Sequence, residues 1–125
     1  MGTFLLAFFP IFFLLEIEAH ARVEIRKPGC YLITAEVIKH ENASLNIRLS
    51  RRTRGEETAH ILLVDVPRFG ILKPGFLIQI NASTKKAGPL ERLHFEAKSK
   101  NISFLSSRQL DSRSPVKSLR DEDCL

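Results

Sequence analysis

The stretch from Tyr31 to Ser50, YLITAEVIKHENASLNIRLS, decides the fold class of this chain. From Ser44 to Ser50 apolar residues alternate with polar ones, and a period of two is typical of a β-strand with one buried face. The preceding run, Tyr31–Ile38, is rich in β-branched and aromatic residues, which favour strands. A polar break at residues 39–43 separates the two runs. The stretch therefore predicts two consecutive strands.

Three further apolar segments predict strands in the rest of the chain. Pro67 ends the first of them, since proline lacks a backbone donor, and Leu72-Lys73-Pro74-Gly75 predicts a turn before the second. The third alternates apolar and polar residues from Leu93 onward. The predicted segments are the charged loop Arg51–Thr58, the strand Ile61–Val66, the strand Phe76–Ile80, the polar loop Asn81–Pro89, the strand at 93–98 and a short extension at Ile102–Leu105.

Five short strands separated by turns indicate an all-β domain, either a barrel or a sandwich. We expect this domain at residues 30–105, after a lead-in at 22–29 and before a polar C-terminal tail at 106–125 that is flexible or holds one short helix. The expected core consists of Leu32 or Ile33, Val37, Leu45, Ile47, Leu49, Leu62, Val64, Phe76, Ile78, Ile80, Leu93 and Phe95.

The N-terminus predicts secretion. Thr3–Leu15 is an uncharged apolar run, and its about 13 residues are too few to cross the roughly 30 Å hydrocarbon core of a membrane as a helix. Ala19-His20-Ala21 supplies small residues at the positions that a signal peptidase reads, so we place cleavage between Ala21 and Arg22, with residues 1–21 as the signal peptide. An uncleaved N-terminal strand or membrane anchor is the alternative, because no Lys or Arg precedes the run and two acids crowd the cut.

The cysteines and glycosylation sequons fit an extracellular compartment. Cys30 and Cys124 are the only cysteines, and one intramolecular disulfide between them is the default in an oxidising compartment. Free thiols or an intermolecular bridge are the alternatives. Asn42, Asn81 and Asn101 each begin an N-x-S triplet without proline, which predicts N-glycosylation sites.

The net charge is +5, and the basic residues cluster in the sequence. Residues 50–55, SRRTRG, carry the basic–basic–x–basic pattern associated with heparin-like glycosaminoglycans, whose sulfates arginine grips through paired N–H donors. The candidate glycosaminoglycan-binding residues are Arg51, Arg52, Arg54, Lys85 and Lys86, with Lys98 and Lys100 as an extension of the patch. A solvated loop and a proprotein-convertase cut after Arg54 are the alternatives. Nucleic acid fits the charge but not the predicted compartment.

The sequence contains no recognisable catalytic or metal-binding motif. It lacks G-x-S-x-G, H-E-x-x-H and a Gly-rich phosphate loop, and its four histidines share no metal-ligand spacing. We therefore predict no catalytic residues, no metal site and no cofactor. Glu36 and Asp65, the acids within apolar strands, are expected to be structural, and Glu57 is expected to be an ordinary loop acid.

The order of Cys30, two strands, an apolar strand and then LKPGFLI at residues 72–78 resembles the netrin-type domain. That family includes the netrin C-terminal module and the tissue inhibitors of metalloproteinases. The resemblance covers residues 30–105 and implies a five-stranded OB-like barrel. The chain departs from the family in its cysteines, because members usually carry several disulfides. The N-terminal zinc-chelating cysteine of the inhibitors has no counterpart, since Arg22 would come first and Cys30 lies eight residues further on.

These observations predict a secreted, non-enzymatic binding domain. Its expected partners are extracellular matrix or secreted proteins, or sulfated glycosaminoglycans, with no nucleic acid and no stable membrane span. One alternative is a small secreted hydrolase. Another is a membrane-anchored or lumenal fragment that keeps its N-terminus.

Overall fold

A computed structural model of the chain describes residues 23–49, 57–112 and 114–125. The predicted signal peptide, its cleavage point between Ala21 and Arg22, and the three arginines Arg51, Arg52 and Arg54 lie outside the described residues. Within the described ranges, no helix is long and apolar enough to cross a membrane.

The described part of the chain is mostly β-structure. Its strands are β1 (Glu24–Ile25), β2 (Gly29–Glu41), β3 (Ser44–Leu49), β4 (Thr58–Leu63), β5 (Leu77–Thr84), β6 (Gly88–Pro89), β7 (His94–Ala97), β8 (Ile102–Phe104) and β9 (Val116–Ser118). Its helices are the 3₁₀ turns η1 (Leu90–Arg92), η2 (Ser99–Asn101) and η3 (Asp121–Cys124), and the single α-helix α1 (Ser107–Ser112).

Five of these strands close into a barrel, which confirms the predicted all-β, OB-like architecture. The long strand β2 pairs antiparallel with β3 on one side and with β5 on the other. A register shift between Val37 and Lys39 marks a bulge in β2, and bulges bend a strand in the way that barrel closure requires. The pairs β3–β4, β4–β7 and β5–β7 complete the ring, and of these only β4–β7 is parallel.

The hydrophobic core fills the barrel and is built from alternate residues of its strands. Ile33 is fully buried while Leu32 is half-buried, so Ile33 is the core member of that predicted pair. The other predicted core residues that the structure confirms are Val37, Leu45, Ile47, Leu49, Ile78, Ile80, Leu93 and Phe95.

Three predicted core residues are exposed instead. Leu62 is 42% exposed because the inward positions of β4 are Ile61 and Leu63, one residue away on either side. Val64 and Phe76, 52% and 42% exposed, lie in the connection between β4 and β5 and not in the predicted strands. The prediction was wrong here because the near-continuous apolar run of β4 does not reveal which residues face inward.

Strand β5 is longer than predicted, since it continues past Ile80 to Thr84. The polar residues Asn81 and Ser83 occupy its outward positions, whereas Ala82 and Thr84 point into the barrel. The first half of the predicted loop Asn81–Pro89 therefore belongs to the barrel wall.

The C-terminal segment contains the short helix α1 and also adds a strand to the barrel wall. Strand β9 pairs with β2, with Val116 opposite Ile33, and η3 brings Cys124 to Cys30. These two cysteines form the predicted disulfide, with their Cα atoms 5.9 Å apart. Because the bond closes a loop of 94 residues, it stabilises the fold by roughly 4 kcal/mol in the chain-entropy model.

Candidate functional site

A groove of about 500 Å³ lies on the outer face of β4 and β7, next to the end of β5. The parallel pairing of β4 and β7 places His60 opposite His94, and their rings meet edge-on with centroids 5.7 Å apart. The residues that line this groove, called the basic groove below, are His60, Leu62, Ser83, Thr84, Lys85, Lys86, Arg92, Leu93, His94, Phe95 and Glu96.

Three positively charged side chains lie at the rim of the basic groove. Lys85 and Lys86 lie in the bend that follows β5, Arg92 ends η1, and all three side chains are exposed. Among the described residues, no acidic side chain forms an ion pair with any of them. Among the described residues that line the groove, Glu96 is the one acid against three cations, so this lining is positive on balance.

The half-buried His60 forms part of the groove floor and is held in place. Its Nε2 lies 2.7 Å from the Ser44 hydroxyl oxygen, within hydrogen-bond distance. Its Nδ1 is buried and has no hydrogen-bond partner among the described residues. Leaving a buried polar atom unpaired costs free energy. Because this nitrogen is enclosed by the protein, the histidine that is open to a ligand is the exposed His94.

The structure brings together only part of the predicted glycosaminoglycan-binding set. Lys85 and Lys86 lie in the basic groove, whereas Lys98 and Lys100 follow β7 at the opposite end of the barrel. Leu49 and Glu57, the described residues that flank the three arginines in the sequence, lie at the end of the barrel where β7 begins.

Sequence reasoning missed Arg92, His60 and His94. The two histidines are 34 positions apart, and only the parallel pairing of β4 with β7 brings them together. Arg92 is an isolated cation in a predicted strand boundary, so no local pattern marks it. In the sequence, only the adjacent basic residues Lys85 and Lys86 pointed to this groove, and they form one part of its rim.

The acidic residues outside the groove have structural roles. Asp65 accepts hydrogen bonds from the Ser99 backbone N–H at 2.8 Å and from the Ser99 hydroxyl at 2.9 Å. The backbone N–H is the main reason that the pKa of Asp65 lies below its usual value. Glu57 is buried and accepts the Val23 N–H at 2.9 Å, so the prediction of an ordinary loop acid was wrong. No three metal-binding side chains cluster among the described residues.

The three sequons lie in different environments. Asn42 is exposed in the tight turn between β2 and β3, where it has a positive φ of 54°. The Asn81 side-chain nitrogen donates to the Asp123 carbonyl at 2.8 Å. Asn101 is half-buried in η2. The folded protein therefore presents Asn42 most openly.

Comparison with known proteins adds no family to this description. No family model matches the chain, and no curated protein or solved structure matches it either. The molecule is thus defined by its fold and its site, as a disulfide-bonded OB-like barrel with a basic groove on its wall.

Proposed function

We propose that this chain is a secreted, non-enzymatic binding domain that holds a sulfated polyanion, such as a heparin-like glycosaminoglycan, in the basic groove. The proposal rests on the rim formed by Lys85, Lys86 and Arg92, three exposed cations that pair with no acid among the described residues, around a groove of about 500 Å³. In OB-fold proteins, oligosaccharides and oligonucleotides bind on the face of the second and third barrel strands and at the loop between the fourth and fifth. The basic groove combines the third barrel strand, β4, with that loop.

The lining suits a sulfated sugar chain chemically. The Arg92 guanidinium can grip a sulfate or carboxylate with two N–H donors, and the two lysines act as mobile point charges. The imidazole of the exposed His94 can hydrogen-bond a sugar hydroxyl, and exposed Leu62 gives an apolar surface for the C–H face of a sugar ring. Binding of this kind needs no reaction and no cofactor.

The three arginines Arg51, Arg52 and Arg54 are the other members of the proposed glycosaminoglycan-binding set. They carry three further positive charges, which a polyanion longer than the groove would neutralise. The arginines then add affinity through further sulfate contacts, while the groove fixes the position of the chain.

The proposed compartment rests on the disulfide between Cys30 and Cys124, the three sequons and the apolar N-terminal run. The proposed relation to netrin-type domains rests on the motif at residues 72–78 and on the OB-like barrel, and it adds extracellular proteins to the expected partners. N-terminal sequencing of protein from the culture medium checks the compartment. Arg22 is the expected first residue, and a secreted chain that begins at Met1 contradicts the proposed cleavage.

Heparin chromatography tests the site. The variant Lys85→Ala/Lys86→Ala/Arg92→Ala should elute at clearly lower salt than the wild type, because each lost cation–sulfate contact removes about one unit from the logarithmic salt dependence of binding. The matched control is Arg68→Ala/Lys73→Ala/Lys100→Ala, which removes the same charge from exposed residues outside the groove. Equal shifts in the two variants would mean that the retention reflects net charge and not the groove.

A further inference from the structure

Large apolar side chains are exposed at the end of the barrel opposite the Lys85–Lys86 bend. Residues 64–76, which connect β4 to β5 and are called the apolar loop below, expose Val66 to 88% and Ile71 to 69%. Three exposed phenylalanines belong to the same surface. Phe104 on β8 lies edge-on to Phe69 and to Phe76, with ring centroids 5.7 Å and 5.8 Å apart.

The apolar loop is anchored from beneath. Leu72 is buried, and its N–H donates to Nδ1 of the buried His40 at 2.9 Å. The other ring nitrogen of His40, Nε2, donates to the Asn42 carbonyl at 3.0 Å. The hydrogen bonds from Ser99 to Asp65 tie down the start of the loop. The buried Leu72 and the hydrogen bonds to Asp65 therefore hold the exposed residues in fixed positions. An exposed apolar surface of this kind is typical of an interaction site.

Cations surround this surface. Arg68 and Lys73 are exposed within the apolar loop, and Lys100 is exposed on η2. Lys98 lies near Asp65, the acid of the loop, whose oxygens accept hydrogen bonds from Ser99. An apolar surface with basic flanks is complementary to an anionic lipid bilayer, in which phenylalanines enter the acyl boundary while lysine and arginine meet the headgroups.

We propose that the apolar loop and Phe104 form a membrane-docking surface that inserts into the interface of an anionic lipid bilayer. Val66 and Ile71 line one cavity of about 560 Å³ together with Val64. The exposed cations at this surface, Arg68, Lys73 and Lys100, favour the anionic headgroups of a bilayer over an uncharged protein partner. The docking surface and the basic groove lie at different ends of the barrel, so this proposal does not rest on the proposed function.

The absence of tryptophan from the sequence gives a direct test. In the variant Ile71→Trp, the only tryptophan of the secreted protein sits in the apolar loop. We expect its fluorescence to shift to the blue, and to be quenched by brominated lipid, when vesicles of phosphatidylcholine and phosphatidylserine are added. The control variant Leu125→Trp places the reporter at an exposed position outside both the docking surface and the basic groove, and it should show neither change. The reporter at residue 71 reads the loop itself, whatever the N-terminal residues do.

A second pair of variants measures the contribution of the rings. Phe69→Ser/Phe104→Ser should weaken vesicle partitioning about 25-fold, because each half-exposed ring contributes roughly half the transfer free energy of a buried phenylalanine, a factor of about five. The control Leu125→Ser removes an exposed apolar residue that lies outside both the docking surface and the basic groove, and it should bind as the wild type does. Thermal melts of both variants verify that the fold is kept.

Either of two results overturns the proposal. One is an unchanged fluorescence of Ile71→Trp with phosphatidylserine vesicles, which would leave a protein partner as the occupant of the surface. The other is an equal loss of partitioning in Leu125→Ser and in the double phenylalanine variant.

Discussion

The inward register of β4 makes a quantitative prediction about two neighbouring residues. Ile61 is fully buried and lies between Leu45 of β3 and Phe95 of β7, which are themselves fully buried. Leu62, the next residue, is 42% exposed on the opposite face. Replacing each with alanine removes a similar side chain from opposite sides of the same strand.

The two substitutions should differ several-fold in cost. Ile61→Ala leaves a cavity in a closed barrel that cannot easily collapse, and it should lower the free energy of unfolding by about 2–5 kcal/mol. Leu62→Ala gives up only part of the burial of a leucine side chain, about 1 kcal/mol or less.

Urea denaturation measures this difference. At an m-value of about 1.5–2 kcal/mol/M, a loss of about 3 kcal/mol lowers the midpoint for Ile61→Ala by about 1.5–2 M, whereas Leu62→Ala stays close to the wild type. Equal losses in the two variants, or a larger loss in Leu62→Ala, would refute the register, because a slip of one residue exchanges the two faces of a strand.

Three other predictions follow from the fold. Cys124→Ser opens the disulfide and should lower the free energy of unfolding by roughly 4 kcal/mol; a melting temperature equal to that of the oxidised wild type would contradict this. The hydrogen bonds of Ser99 to Asp65 depress the pKa of that carboxyl, so they stabilise the fold at neutral pH, and their contribution is lost as the pH falls below about 4. The stability difference between wild type and Asp65→Asn should therefore shrink in acid, and a pH-independent difference would count against the assigned role. Asn42→Gln should remove glycan mass from secreted protein, as read by electrophoresis before and after glycosidase treatment, and an unchanged mass would show that this sequon is not used.

Period-two alternation made part of the fold predictable from the sequence. In β3 the residues Leu45, Ile47 and Leu49 alternate with polar neighbours, and all three are buried. In β4 no alternation separates Ile61 from Leu62, so either face could have been the inner one. In β5 the inward positions beyond Ile80 hold small residues, which give too weak an apolar signal to distinguish a strand from a loop.

The candidate site was less predictable because it depends on pairing between distant segments. Lys85 and Lys86 are adjacent in the sequence and were recognised as a basic pair. His60 and His94 meet only because β4 and β7 pair in parallel across the barrel closure, and closure of this kind has no local signature. Arg92 lies in the 3₁₀ turn η1, shortly before β7, so the same barrel closure brings it to the two histidines.

Nuclear magnetic resonance shows residue by residue whether a sulfated polyanion binds in the basic groove. A heparin-derived hexasaccharide would be titrated into ¹⁵N-labelled protein, with backbone amide shifts followed residue by residue. We expect saturable shifts at the amides of Lys85, Lys86, Arg92 and His94, with the amides of residues 64–76 unmoved. Shifts confined to residues 64–76, or small shifts spread over every exposed cation without saturation, would contradict it.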